Sequence, residues 1–267
     1  METVVNDIRM YWREAGRGAP VVFIHGFPFH SGLWSDQLDR LPRRWRWIAP
    51  DLRGFGGTRA EAGEEGLSME AHAEDLVDLL DALEIQRAVI CGLSMGGYVA
   101  FALWRAHADR VRALVLCSTR AAADTDDARR ARYGLAARIR REGAAAVAEV
   151  MLPTLLSEQT RRERPEVVQR VREMIEATPR ATLVAALMAM AERPDSTPLL
   201  PTIDVPTLVL RGSEDAIIPA AEAERMAEEI PDARLRVIDG AGHVPNLEQP
   251  AEFDRELVLF LEAIEGE

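Results

Sequence analysis

No lysine occurs anywhere in the 267 residues; all 32 basic side chains are arginine. That absence excludes Schiff-base chemistry, serine–lysine dyads and the phosphate-cradling P-loop, each of which needs a lysine amine. Cysteine is scarce as well. Cys91 and Cys117 are too few for a disulfide framework or a structural zinc site. Both stand in apolar, strand-like runs (AVICG and LVLCS), where buried reduced thiols are expected. No apolar run approaches the roughly 18 residues of a membrane-spanning helix. The opening METVVNDIRMYW has neither a basic n-region nor an apolar h-region, so no secretory signal is expected and the reading is a soluble, cytoplasmic protein. Positive charge is in deficit: 32 basic against 44 acidic residues gives −12, without the basic cluster that nucleic acid demands.

What is present is a globular composition, 48% apolar and 28% charged, which excludes disorder and collagen-like order. Short apolar runs alternate with helical patterns as far as residue 119. DIRMYWREAG, APVVFIHG, WRWIAPDLRG, RAVICGLS and RALVLCST read as strands. SMEAHAEDLVDLLDALEI reads as a helix, with Leu76, Leu79, Leu80 and Leu83 on one face and Ser68 as N-cap. GGYVAFALWRAHADRV reads as another. GFGGTRAEAGEEG, residues 54–66, reads as turns. Strands this apolar, separated by helices, form a mainly parallel sheet covered on both faces.

The alternation stops between residues 120 and 199, where only helical patterning appears. It resumes with PTLVLRGSED, a helix around AAEAERMAEEI, the strand ARLRVIDG and a closing helix, AEFDRELVLFLEAI. The expected organisation is an α/β core from residues 1–119 and 200–267, carrying a helical cap, or lid, over 120–199.

Gly92-Leu93-Ser94-Met95-Gly96 falls between a strand and a helix, the context in which G-x-S-x-G has mechanical meaning. The serine occupies a strained turn, and the glycines let strand and helix approach each other. Its Oγ then stands clear of the sheet, while the Met95 N–H at the helix start faces a developing oxyanion. A serine hydroxyl needs a base, and the base an orienting carboxylate. On such a sheet they follow as acid and then histidine, at the ends of later strands. Asp215 follows the strand PTLVL, with Glu214 as the rival acid. His243 follows LRVID, with small neighbours that give the imidazole room. His72 and His107 fall in helical patterns and are expected at the surface, whereas His30 is placed to line the site. The second oxyanion amide is assigned to Phe27 in His25-Gly26-Phe27-Pro28, because Pro28 has no N–H. His25 and Gly26 are read as shaping that loop.

HGFP, DLRGFGGT, CGLSMGGYVAF, RGSEDAIIP and GAGHVPNLEQP together resemble the α/β-hydrolase superfamily over nearly the whole chain. The resemblance is strongest to bacterial carboxylesterases similar to 3-oxoadipate enol-lactonases and to cofactor-free haloperoxidases and perhydrolases. It implies an eight-stranded sheet with one antiparallel strand and a helical cap after the sixth. It also implies Ser94 as nucleophile, Asp215 as acid, His243 as base, and Phe27 and Met95 as oxyanion amides. Asp51-Leu52-Arg53-Gly54-Phe55-Gly56 matches a structural turn of that family. Serine at position 94, where dehalogenases and epoxide hydrolases of this superfamily carry aspartate, sets those chemistries aside; Pro28 implies weak perhydrolysis as a side activity.

The expected function is hydrolysis of small carboxylic esters, short-chain acyl or aryl, through an acyl-enzyme, without metal or cofactor. Activity is expected to fall in acid, where a protonated His243 cannot accept a proton. Phe27, Pro28, Leu152, Leu187 and Met188 are the expected substrate-lining residues. A lactonase acting on an enol-lactone dicarboxylate would use cap arginines such as Arg132, Arg138 and Arg141. A ligand-binding protein without turnover is the remaining alternative on such a fold. The expected partner is the small-molecule ester alone, with no nucleic acid or membrane, on a monomer or homodimer.

Overall fold

The computed structural model describes residues 1–59 and 67–265. Among the described residues, eight strands form one sheet: β1 (Glu2–Val5), β2 (Ile8–Gly16), β3 (Ala19–Ile24), β4 (Trp45–Pro50), β5 (Ala88–Leu93), β6 (Val111–Cys117), β7 (Thr207–Gly212) and β8 (Ala233–Ile238). Their order is β1-β2-β4-β3-β5-β6-β7-β8. Only β2 opposes its neighbours; every other pairing from β4 to β8 is parallel. β5 is buried throughout and β3 from Val21 onward, because both faces are covered, hence their unbroken apolar runs. β1 is the strand that periodicity misses: four residues at a sheet edge carry too short a pattern to read.

The helices include α1 (Ser35–Arg40), α2 (Met69–Ala82), α3 (Met95–His107), α9 (Ala220–Glu229), α10 (Pro245–Glu248) and α11 (Pro250–Glu265). Phe23 of β3 stacks on Trp34 at 4.7 Å and on Trp47 at 5.5 Å between ring centres. Each such pair adds about 1 kcal/mol beyond area burial. Both cysteines are free and buried. The turn-rich reading is described through Arg59, and its remainder, residues 60–66, lies outside the described residues.

Between β6 and β7 lie α4 (Asp126–Glu142), α5 (Ala145–Leu155), α6 (Glu158–Glu163), α7 (Pro165–Ala177) and α8 (Arg180–Glu192). No single helix among the described residues is long and apolar enough to cross a membrane. The short α6 is not legible in advance, since six polar residues show no periodicity; Ser157 caps it by accepting from the Thr160 N–H. The two ends of this helical block meet at Asp124. Its enclosed carboxylate accepts from Arg193 at 2.7 Å, from Arg120 at 2.5 Å and from Arg132. Burial raises the Asp124 pKa, but the Arg132 and Arg193 guanidiniums outweigh it and hold the carboxyl at about 2. Arg193 also lies over the Tyr98 ring at 3.9 Å, and the Ser196 N–H donates to Ala121 O.

His72 corrects the surface assignment made for it. It is fully buried, because it lies four residues before Leu76 on the same face of α2. Neither ring nitrogen has a hydrogen-bond partner among the described residues. Burial, with smaller contributions from His25 and Arg53, pushes its pKa down to about 3. Between the unfolded value near 6.5 and 3, the unfolded chain binds a proton that the folded chain refuses. Stability therefore falls by about 1.4 kcal/mol per pH unit as pH drops through that window. His72→Met is expected to lose about 2 kcal/mol less stability than wild type between pH 8 and pH 5. Urea melts at the two pH values measure this, and parallel losses would contradict it. His107 does lie at the surface, half-exposed and 2.8 Å from Glu74.

Candidate active site

The chain reverses direction across the sheet between β3 and β5: β4 lies on one side of β3 and β5 on the other. The crevice at the carboxyl ends of strands at such a reversal is where open α/β sheets receive ligands. Phe27 follows β3 and Ser94 follows β5, one on each side of that crevice. Asp215 follows β7 and His243 follows β8.

Ser94 has φ 54° and ψ −111°, a left-handed conformation that a side chain adopts only under constraint. The constraint is visible. Its N–H donates to Cys117 O at 2.9 Å, and its carbonyl accepts from Thr119 Oγ1 at 2.8 Å. Gly92 and Gly96 permit the turn: a Cβ on Gly92 would lie 2.3 Å from Gly96 O, and one on Gly96 would lie 2.3 Å from Ile24 O. Gly26 brings the preceding loop onto the serine, for its Cβ would stand 3.2 Å from Ser94 Cβ.

His243 Nδ1 lies 3.0 Å from each carboxylate oxygen of Asp215, and both side chains are enclosed. Asp215 Oδ1 also accepts the N–H groups of Ile217 at 2.9 Å and Ile218 at 3.0 Å. Burial raises the Asp215 pKa, but the facing imidazole and the two amides outweigh it and hold the carboxyl below its ordinary value. The rival Glu214 is exposed, its N–H donating to Ala241 O. Two of the three expected triad side chains are thus hydrogen-bonded. Ser94 Oγ makes no hydrogen bond among the described residues, and such contacts often tighten only when substrate is bound.

Neither the Phe27 N–H nor the Met95 N–H is spent on another hydrogen bond among the described residues. Met95 opens α3, so its amide has no partner within the helix. The loop bearing Phe27 is shaped by His25, whose Nε2 accepts from the Leu52 N–H at 3.0 Å. Its Nδ1 therefore carries the proton donated to Gly26 O at 3.0 Å. Burial lowers the His25 pKa to about 4, so the ring stays neutral in this role. Asp51, in the structural turn, accepts from the N–H groups of Ser31 at 2.6 Å and Gly57 at 2.7 Å. His30 is half-buried, with Nδ1 accepting from the Gly32 N–H at 3.1 Å; burial lowers its pKa.

Phe27 and Pro28 are buried beside this turn, and Leu152 of α5 and Leu187 of α8 are buried in the helical block. Met188 lies at the α4–α8 seam with its sulfur 3.9 Å from the Arg140 guanidinium. The three arginines considered for a dicarboxylate all face carboxylates of the same block. Arg132 pairs with Asp124, Arg138 with Glu142 and Glu149, and Arg141 lies 3.8 Å from Glu142.

Two contacts join partners that the sequence does not pair. Thr178, between α7 and α8, donates its hydroxyl to Pro28 O at 2.8 Å across 150 residues. Glu248 of α10 accepts the Gly242 N–H beside His243. A carboxylate five residues after the histidine, in GHVPNLEQP, was the available clue to Glu248; the partner across the fold was not.

A family model described as "alpha/beta hydrolase fold" matches residues 19–250. The chain is similar to a solved thermophilic esterase from Thermogutta terrifontis, with 43% identity, TM-score 0.93, and coverage of 98% of this chain and 97% of that one. It is 32% identical over 241 residues to pimeloyl-[acyl-carrier protein] methyl ester esterase of Aromatoleum aromaticum, covering 86% of this chain and 93% of that protein. It is 29% identical over 245 residues to 3-oxoadipate enol-lactonase 1 of Acinetobacter baylyi, covering 92% and 89%.

Proposed function

The chain belongs to the alpha/beta hydrolase fold family, and from that premise and its site we propose a serine carboxylesterase that hydrolyses small acyl or aryl esters through an acyl-enzyme. The observation that carries this reading is the strained Ser94 turn, flanked by two amides that make no hydrogen bond among the described residues. Strain at a non-glycine position persists only where surrounding structure enforces it, and it concentrates at functional sites.

In the proposed cycle, Ser94 Oγ attacks the ester carbonyl carbon as His243 Nε2 takes its proton. The carbonyl oxygen becomes an oxyanion held by the Phe27 and Met95 amides, one such donor being worth about 3 kcal/mol. The intermediate collapses, the carbon–alkoxy bond breaks, and the alcohol departs with the proton from His243. Water then attacks the acyl-enzyme, giving up a proton to His243, and Ser94 leaves with that proton as the acid is released. Asp215 holds the imidazole with Nδ1 protonated and stabilises the imidazolium, remaining ionised itself.

An enol-lactone is the second reading, favoured by the similarity to 3-oxoadipate enol-lactonase 1. It asks for cations to hold the free carboxylate of the lactone and the second one that ring opening releases, whereas Arg132, Arg138 and Arg141 face Asp124, Glu142 and Glu149. The two unspent amides also favour turnover over a ligand-binding protein that does no chemistry.

A series of p-nitrophenyl esters of increasing acyl length, run beside a muconolactone-type enol-lactone, tests the assignment. Higher kcat/KM for a short or aryl ester is expected. Preference for the lactone would replace the esterase reading, and no turnover of either would remove it.

A further inference from the structure

The loop that carries His243 is bonded on one side to the end of β7, where the Glu214 N–H donates to Ala241 O and the Gly240 N–H to Ser213 Oγ, and on the other side to the cap. The His243 backbone N–H donates to Leu155 O, at the end of α5, at 2.9 Å. The neighbouring Gly242 N–H donates to Glu248 Oε1 at 2.9 Å. The other oxygen of that carboxylate, Oε2, accepts the Ser157 N–H at the α5–α6 junction at 2.8 Å. Arg164, where α6 gives way to α7, donates to Glu248 O at 2.8 Å and to Leu247 O at 3.2 Å.

Building on the serine-hydrolase reading, we propose that Glu248 is a positioning residue for His243, clamping the base's loop to the α5–α6 junction of the cap. One carboxylate spans two backbone donors, one beside the catalytic histidine and one in the cap. Glu248 is 2% exposed, so water does not compete for those donors. The hydroxyls of Thr160 and Ser157 face the same carboxylate, and burial pushes its pKa up against the donors that favour its charged form. Contact at the seam is close: a Cβ on Gly242 would lie 2.7 Å from the Ser157 nitrogen and 2.9 Å from Glu248 Oε1. A clamp of this kind fixes the imidazole by its backbone, while Asp215 fixes it by its ring.

The chemistry of the bridge calls for a carboxylate. Glutamine offers one acceptor oxygen, and its NH2 would face an N–H, donor against donor. Asn246 and Gln37 secure α10 from the other side, where the Gln37 amide donates to Asn246 O at 3.1 Å and the Asn246 amide donates to Leu33 O at 2.9 Å. Losing Glu248 therefore loosens the cap side of the loop and leaves the core side tied. A glutamate that only stabilised the fold would lower Tm without altering kcat or Ser94 reactivity in protein that is still folded.

The test uses Glu248→Gln, with turnover of p-nitrophenyl acetate and the rate of fluorophosphonate labelling measured well below Tm. Displacing a catalytic group by about 1 Å costs on the order of 10² in rate. The expected result is a kcat lowered by that order, a labelling rate lowered in proportion, and KM nearly unchanged. Thr125→Ala, which removes the N-cap of α4, is the control: it lowers Tm and leaves kcat as in wild type. Should the glutamine variant fail to fold, Glu248→Asp takes its place. One methylene shorter, it forfeits one of the two N–H bonds, and kcat is expected to fall about tenfold. Wild-type kcat and labelling rate in a folded variant would overturn the clamp. Absence of turnover and labelling in the wild type would instead overturn the serine-hydrolase reading, and the clamp with it.

Discussion

Replacing Ser94 with alanine is expected to lower kcat by on the order of 10⁴ or more while the protein stays folded. The size of the loss follows from what the hydroxyl would do: without it, no acyl-enzyme forms and only direct attack by water remains. Folding should survive because the turn is held by backbone groups. The Ser94 N–H bonds to Cys117 O and its carbonyl receives the Thr119 hydroxyl, and alanine keeps both. Ser94 Oγ has no hydrogen bond among the described residues, so its removal strands no buried partner. The Phe27 and Met95 amides proposed to hold the oxyanion also survive, which would leave a residual rate roughly 10³–10⁴ above water. Steady-state kinetics on p-nitrophenyl acetate, with a thermal melt of the same sample, measure both halves of the expectation. A kcat within a few-fold of wild type would take the nucleophile's role from Ser94, and the acyl-enzyme with it.

Legibility in the sequence followed the range of the physical cause. The runs VVFI and AVICGL declared buried parallel strands because each residue reports its own environment. Ser94 was legible for a similar reason: Gly92 and Gly96 are local solutions to a local collision. Asp215 and His243 were legible from their order after successive strands, although the bond between them spans 28 residues. The helical block was legible as helices, since its periodicity is local, but its bonds to the core were not. Thr178 to Pro28 and Ser157 to Glu248 join positions 150 and 91 residues apart, and nothing near either partner announces the other. His72 shows the reverse failure. A place in a helical pattern alone pointed to the surface, but its four-residue spacing from Leu76 puts it on the buried face of α2.

Asp215→Asn carries the second large expectation, and the structure specifies how the amide would sit. Oδ1 accepts from both the Ile217 and Ile218 N–H groups, so the asparagine oxygen must take that place, because its NH2 would meet two donors there. The amide nitrogen then occupies the position of Oδ2, 3.0 Å from His243 Nδ1, and donates toward it. His243 can accept that bond only with Nδ1 unprotonated, which puts its proton on Nε2. The nitrogen that would take the Ser94 proton is then a donor where a base is required. The substitution preserves volume, and both side chains remain enclosed, so the fold is expected to persist. The inverted tautomer alone should lower kcat by on the order of 10⁴ at neutral pH. Fluorophosphonate labelling of Ser94 should slow in step, since it draws on the same proton transfer. If the folded variant labels and turns over at the wild-type rate, then Asp215 neither orients the imidazole nor stabilises its charged form.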